Sequence, residues 1–142
     1  MRSITKITKP LTQLDVTSLP EGVCARFSGA AGFTDITNEN GVDISELAWE
    51  TAMSRPEFLE VLDGRKMWSY CEHPATDEPN PLAAIGCVVE VSIDKETRTV
   101  NVTIDIFDTP DGQKIAKLIK YGSKFGISER GRGLFENGGD YG

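Results

Sequence analysis

Two residues in this chain are of types that together do nucleophilic chemistry. Ser128 sits in Phe125-Gly126-Ile127-Ser128-Glu129-Arg130-Gly131-Arg132-Gly133, between a β-branched residue and an Arg-Gly-x-Gly turn. His73, the only histidine, lies upstream in Glu72-His73-Pro74. A serine hydroxyl becomes a useful nucleophile when a neighbouring base takes its proton, and an imidazole is the usual base near neutral pH. An acyl-transfer site also needs donors for the developing oxyanion. The Glu129-Arg130-Gly131 turn offers backbone N–H groups, and Arg130 offers a permanent positive charge. A third group should orient the imidazole and stabilise its charged form. Glu90, Asp105 and Glu72 are the candidates for that role, and the sequence does not choose among them. Against this stands a plainer reading: a turn serine that caps backbone groups, and a histidine satisfied at a strand end.

The overall composition bounds the setting. A chain of 142 residues, 39% hydrophobic and 26% charged, is long enough to bury one core and too apolar for global disorder. No apolar run approaches the ~18 residues that span a membrane, and no apolar stretch follows the early Lys and Arg residues as in a secretory signal. A net charge of −7 disfavours direct nucleic-acid binding, because phosphates attract basic surfaces. Cys24, Cys71 and Cys87 are odd in number and lack metal-ligand spacing, which suits a reducing, intracellular compartment. No cofactor or metal is implied. Cys71, two residues from His73, is a remote alternative nucleophile.

The elements that must position this pair follow from periodicity. Residues 1–21 read as a polar arm with at most one short edge strand. Val23-Cys24-Ala25-Arg26-Phe27 is a short strand, and Gly29-Ala30-Ala31-Gly32 a turn or loop without the spacing of a phosphate-binding loop. Asn38-Glu39-Asn40-Gly41 is a turn. A helix starts at Asp43, with Glu46 at capping-box spacing, and a second follows Ser54 as N-cap, with Pro56 at its first position and Gly64 at its end. Trp49 and Trp68 are core anchors. Lys66–Cys71 is a strand that delivers His73 to a proline-rich loop. The alternation Ile85, Cys87, Val89, Val91, Ile93, followed by Val100, Val102, Ile104, Ile106, predicts a hairpin turning at Glu96-Thr97. That register pairs Val91 with Val102 and Glu90 with Thr103, and it places Glu90 and Asp105 on one outer face. Thr109 and Pro110 start a helix with Ile115, Leu118 and Ile119 as its buried stripe, ended by Gly122. Its Lys114, Lys117 and Lys120 form either a solvated face or a contact for substrate or scaffold. A strand over Lys124–Ser128 enters the serine motif, and residues 136–142 form a flexible Gly-rich tail.

The ordered set resembles the prohead (capsid maturation) proteases of tailed phages, of the T-even type. The elements that carry the resemblance are Asn38-Glu39-Asn40-Gly41, Glu72-His73-Pro74, the 85–106 hairpin, Thr109-Pro110-Asp111-Gly112 and Gly126-Ile127-Ser128-Glu129-Arg130-Gly131-Arg132-Gly133. They cover roughly residues 22 to 133 in the family's order. Glu129 stands where the family carries a second serine, and no glycine precedes His73 at the family's spacing. The resemblance implies an α+β fold over residues 22–135: a mainly antiparallel β-barrel with flanking helices, similar to herpesvirus assemblin. It implies further strands after the serine motif, so the barrel is expected to be incomplete at the C-terminus.

It also implies a serine endopeptidase that processes scaffold and major capsid proteins in the host cytoplasm, inside the assembling prohead, with self-cleavage as a further option. Ser128 matches the nucleophile and His73 the base; Arg130 supports the oxyanion, and Glu90 is assigned as third member. T-even relatives cleave after glutamate, and Arg132 is a candidate to bind such an acidic side chain. The alternative is a protease-derived module of the prohead that has lost catalysis and serves as a structural or scaffold-binding part.

Overall fold

The computed structural model describes residues 11–34, 45–70 and 80–124. Within them five antiparallel strands form one sheet: β1 (Thr12–Gln13), β2 (Val23–Phe33), β3 (Trp68–Ser69), β4 (Gly86–Asp94) and β5 (Thr99–Phe107), in the order β1-β2-β5-β4-β3. Three helices accompany it: α1 (Glu46–Met53), α2 (Pro56–Asp63) and α3 (Pro110–Tyr121). The class is α+β, and the sheet curls into half a barrel. Closure into a full barrel is not seen among the described residues: β1 and β3 are edge strands of two residues each.

The β4–β5 hairpin has the register expected from its sequence, with Val91 opposite Val102 and Glu90 opposite Thr103. The side chain of Asp94 accepts the backbone N–H groups of Glu96 and Thr97, and Arg98 takes a positive φ of 55° to complete the turn. The simple alternation of β4 fails at one point. A bulge between Val88 and Glu90 shifts the phase, so that Val88 opposes Ile104 and Cys87 opposes Asp105. An inserted residue moves everything before it to the opposite face. Cys87, which alternation groups with Val91, therefore shares a face with Asp105. The bulge is held from outside, where Arg65 Nη1 donates to the Val89 carbonyl at 3.2 Å.

A second correction concerns β2. The strand does not stop at Phe27 but runs through Gly29-Ala30-Ala31-Gly32, which pairs along β5. These small residues make room rather than a turn. A Cβ on Gly32 would lie 3.0 Å from the indole of Trp49, so the tryptophan packs directly over the strand backbone. Trp49 is accordingly a core anchor, only 7% exposed. Trp68 is half-buried, edge-on to Phe107 with ring centroids 6.4 Å apart.

The inner face of the sheet carries two apolar clusters. One joins Ala25, Phe27, Ile85, Val102, Ile104 and Ile106 to Ala116 of α3, with Ile115 and Ile119 packed at its margin. The other places Trp49 and Ala52 of α1 over Val100. The stripe of α3 is therefore centred on Gly112 and Ala116, flanked by Ile115 and Ile119, and Leu118 is only half-buried. Gly112 lies too close to the Phe107 carbonyl for any Cβ.

Helix ends follow local chemistry. Thr109 accepts the Gly112 N–H at 3.1 Å and Pro110 opens α3, as its sequence predicts. Gly122, at φ 116°, closes the helix with its own N–H on Ile119 and that of Ser123 on Leu118. The first helix starts later than Asp43: Ser45 is extended and caps α1 by accepting the Ala48 N–H at 3.0 Å. The Ser45 hydroxyl thereby satisfies a first-turn N–H that has no partner within the helix. Ser54 belongs to the end of α1, where its hydroxyl donates to Thr51. Arg55 occupies the N-cap of α2 without a side-chain bond, and Gly64 ends that helix as expected. Asp43, the Asn38–Gly41 turn, Cys71 and the strand entering Ser128 lie outside the described residues.

Candidate functional site

The outer face of the sheet is the polar one, and its cross-strand rows can be read directly from the register. One row runs Thr12, Ser28, Thr103, Glu90 across β1, β2, β5 and β4. The next runs Arg26, Asp105, Cys87, Trp68 across β2, β5, β4 and β3. Beyond it Phe107 meets Trp68. Hydroxyls, one guanidinium and two carboxylates thus stand side by side on a rigid surface, where functional groups are held best.

The two carboxylates on this face have different partners. Asp105 is buried, and both of its oxygens are engaged by Arg26, Nε to Oδ1 at 2.5 Å and Nη2 to Oδ2 at 3.0 Å. This fork-to-fork geometry is the strong form of a charge-assisted bond. It raises the Arg26 pKa above its ordinary value, chiefly through the hydrogen bond to Asp105, with Glu90 adding a smaller electrostatic contribution. Glu90 is exposed, and it accepts a long hydrogen bond from Thr103 Oγ1 at 3.5 Å. Asp105 is therefore committed to structure, whereas Glu90 is free to reorient. The diagonal relation of Glu90 and Asp105 expected from the hairpin is present.

Arg26 was not singled out by the sequence motifs. The signal was a lone cation inside the apolar run Val23-Cys24-Ala25-Arg26-Phe27, facing a lone acid in β5. Arg26 also lines a cleft of about 360 Å³ with Gln13, Leu14, Asp15, Val16 and Leu19 of the chain before β2. Cys87 is unsuited to nucleophilic work, since burial pushes its thiol pKa up and keeps it protonated. No group of three or more His, Cys, Asp and Glu side chains poised for a metal occurs among the described residues.

His73, Ser128, Arg130, Arg132 and Glu72 lie outside the described residues, so of the assigned site residues only Glu90 can be placed. The roots of their segments can be. Tyr70 and Asn80 flank the stretch that carries His73, and they are tied to each other: the Asn80 backbone N–H donates to the Tyr70 hydroxyl at 2.9 Å. Asn80 also accepts the Leu82 N–H, which starts a short 3-10 turn over Pro81–Ala83. β3 delivers Tyr70 to the sheet beside Gly86, the partner of Ser69. Glu90 lies four residues further along β4, ~13 Å at the usual strand rise. His73 follows Tyr70 by three residues, a span of at most ~10 Å. The two can meet only if the chain turns back over the outer face after Tyr70. Asp105, opposite Cys87, is nearer to that root but already held by Arg26.

No family model and no curated protein matches the sequence. Among solved structures, the fold is similar to that of the bacteriophage T4 capsid assembly protease, gp21, with a TM-score of 0.66 over 81% of this chain and 71% of that one, at 16% sequence identity. At that identity the likeness is one of fold: the half-barrel and its helices are arranged as in a known capsid assembly protease.

Proposed function

We propose that this chain is a serine endopeptidase that processes scaffold and capsid proteins during phage prohead maturation. The observation that carries this reading is the fold likeness to a capsid assembly protease, found for a chain whose serine and histidine motifs already follow the prohead-protease order. The proposal extends to an assemblin-like architecture and to action inside the assembling prohead in the host cell.

In the proposed mechanism Ser128 attacks the scissile carbonyl. His73 takes its proton and returns it to the leaving amine. Arg130 and the amides of its turn receive the oxyanion charge. Glu90 serves as third member. What favours it over Asp105 is availability: Asp105 is buried, with its charge already offset by Arg26 at both oxygens, whereas Glu90 is exposed with a single weak bond. No metal or organic cofactor takes part.

Incubating the purified chain with the scaffold protein of the same genome, and reading fragments by mass spectrometry, tests the proposal. We expect cleavage that Ser128→Ala and His73→Ala both abolish. Glu90→Gln should lower kcat by about 10²–10⁴-fold, the range for removing one member of an acid–base system. A folded wild-type chain that neither cleaves nor labels with a serine-reactive phosphonate would overturn the enzyme reading in favour of a non-catalytic prohead module.

A further inference from the structure

Charge is distributed unevenly over the helices of this acidic chain. On α3, Lys114, Lys117 and Lys120 follow one another at intervals of three residues, and all are exposed. Tyr121, 87% exposed, stands among them, and exposed Lys124 follows the helix. On α2, Glu57, Glu60 and Asp63 repeat the same spacing with opposite sign, and all are exposed. Leu59 and Val61 flank that acidic row at 42% and 38% exposure, and α2 buries no residue at all. Leu47 and Glu50 of the adjoining α1 are exposed as well. Neither row has an ion-pair partner among the described residues, where the pairs formed are Arg26–Asp105 and Lys95–Glu46.

The two rows cannot satisfy each other within one molecule. α3 covers the end of the sheet's inner face around Ile104 and Ile106, while α1 covers the end around Val100, with α2 beside β4. Each step of three residues rises ~4.5 Å on either helix, so three lysines and three carboxylates of equal spacing come into register when the helices lie side by side. Exposed apolar side chains border both rows, which gives such a contact a desolvated component besides its charge.

We propose that the α3 face of one copy docks on the α1–α2 face of a second copy. The contact is heterologous, since one copy contributes lysines and the other carboxylates. It leaves one unpaired face at each end of any open assembly, so association continues beyond a dimer into a ring or an open chain of copies. The inference rests on helix faces alone and is independent of peptidase activity.

Sedimentation velocity of the full chain tests it. At about 0.02 M salt the mass should rise with protein concentration past that of a dimer, and at about 0.5 M salt, where screening acts within a few ångströms, the chain should be monomeric. Lys114→Glu with Lys117→Glu, and separately Glu57→Lys with Glu60→Lys, should each weaken association at least about tenfold, since each turns attraction into like-charge repulsion. Mixing the two reversed variants should restore it, because each presents the face the other now lacks. The neutral pair Lys114→Gln with Lys117→Gln keeps the test open if a reversed variant fails to show native circular dichroism. A monomer at low salt, association that persists in each reversed variant alone, or a mixture of folded reversed variants that stays monomeric would each overturn the proposal.

Discussion

Arg26 illustrates how a residue can be central to a face without being reactive itself. Its guanidinium is partly exposed, at 26%, while the carboxylate it grips is 7% exposed. Removing the cation leaves Asp105 buried and uncompensated. Arg26→Ala should therefore lower the unfolding free energy by about 2–4 kcal/mol, toward the lower end because water reaches the arginine. Replacing both partners by apolar side chains, Arg26→Met with Asp105→Leu, should recover most of that loss. A double-mutant cycle in urea would measure the coupling. If the single and double variants were additive, the ion pair would contribute little, and Asp105 would return as a candidate partner for the imidazole. Glu90, opposite Thr103 and open to solvent, bears no such structural duty. It was readable in the sequence because the hairpin alternation fixes its face. Arg26 was not, because its partner lies 79 positions away and only the β2–β5 register brings them together.

At the scale of elements, the ends of helices were the most legible features wherever one side chain dominates a local choice. Thr109-Pro110 and Gly122 set the limits of α3 as written, since a hydroxyl acceptor, a fixed φ and a permitted positive φ are local properties. Thr109→Ala should cost about 1 kcal/mol in thermal or urea unfolding, the usual value of a lost N-cap. A negligible effect would mean that packing of Ala116 and its neighbours alone holds the helix start. Tertiary packing defeated the sequence elsewhere. Gly29–Gly32 has the composition of a turn, but Trp49 requires small residues beneath its ring, and the strand continues. The bulge at Val89 is equally non-local. Nothing in an apolar run announces an extra residue; it is stabilised by a guanidinium, Arg65, 24 positions before it.

For the whole molecule, the two inner clusters meet at Val91, which packs against both. The end of the sheet under α1 is thereby tied to the end under α3 through one half-buried side chain and its cross-strand partner Val102. Val91→Ala should lower global stability by about 1–2 kcal/mol. Its larger effect should be local, with α1 and α2 amides losing hydrogen-exchange protection before those of β2 and β5. Uniform loss over all elements would show instead that the chain unfolds as one unit with no weaker end. The fold class and hairpin register were legible because period-two patterning is strong in β4 and β5. The resemblance implied a barrel where the described residues form half of one; the strand order across β1, β2 and β5 was not legible, because it depends on partners far apart in the chain. Of the candidate site, the sequence offers chemical types and spacing; that Asp105 is engaged by Arg26 is a fact of the register that no motif contains.

The bond between Tyr70 and Asn80 has a consequence for how this protein can vary. It joins the two ends of segment 71–79 at a single point on the sheet border, and the sheet on either side is paired independently. A segment so anchored behaves as an exchangeable cassette. Doubling its length adds only about 0.6 kcal/mol of closure entropy, so insertions can accumulate there while β3, β4 and the polar face remain as they are. Changes in the length of this stretch therefore leave the folding of the domain almost untouched.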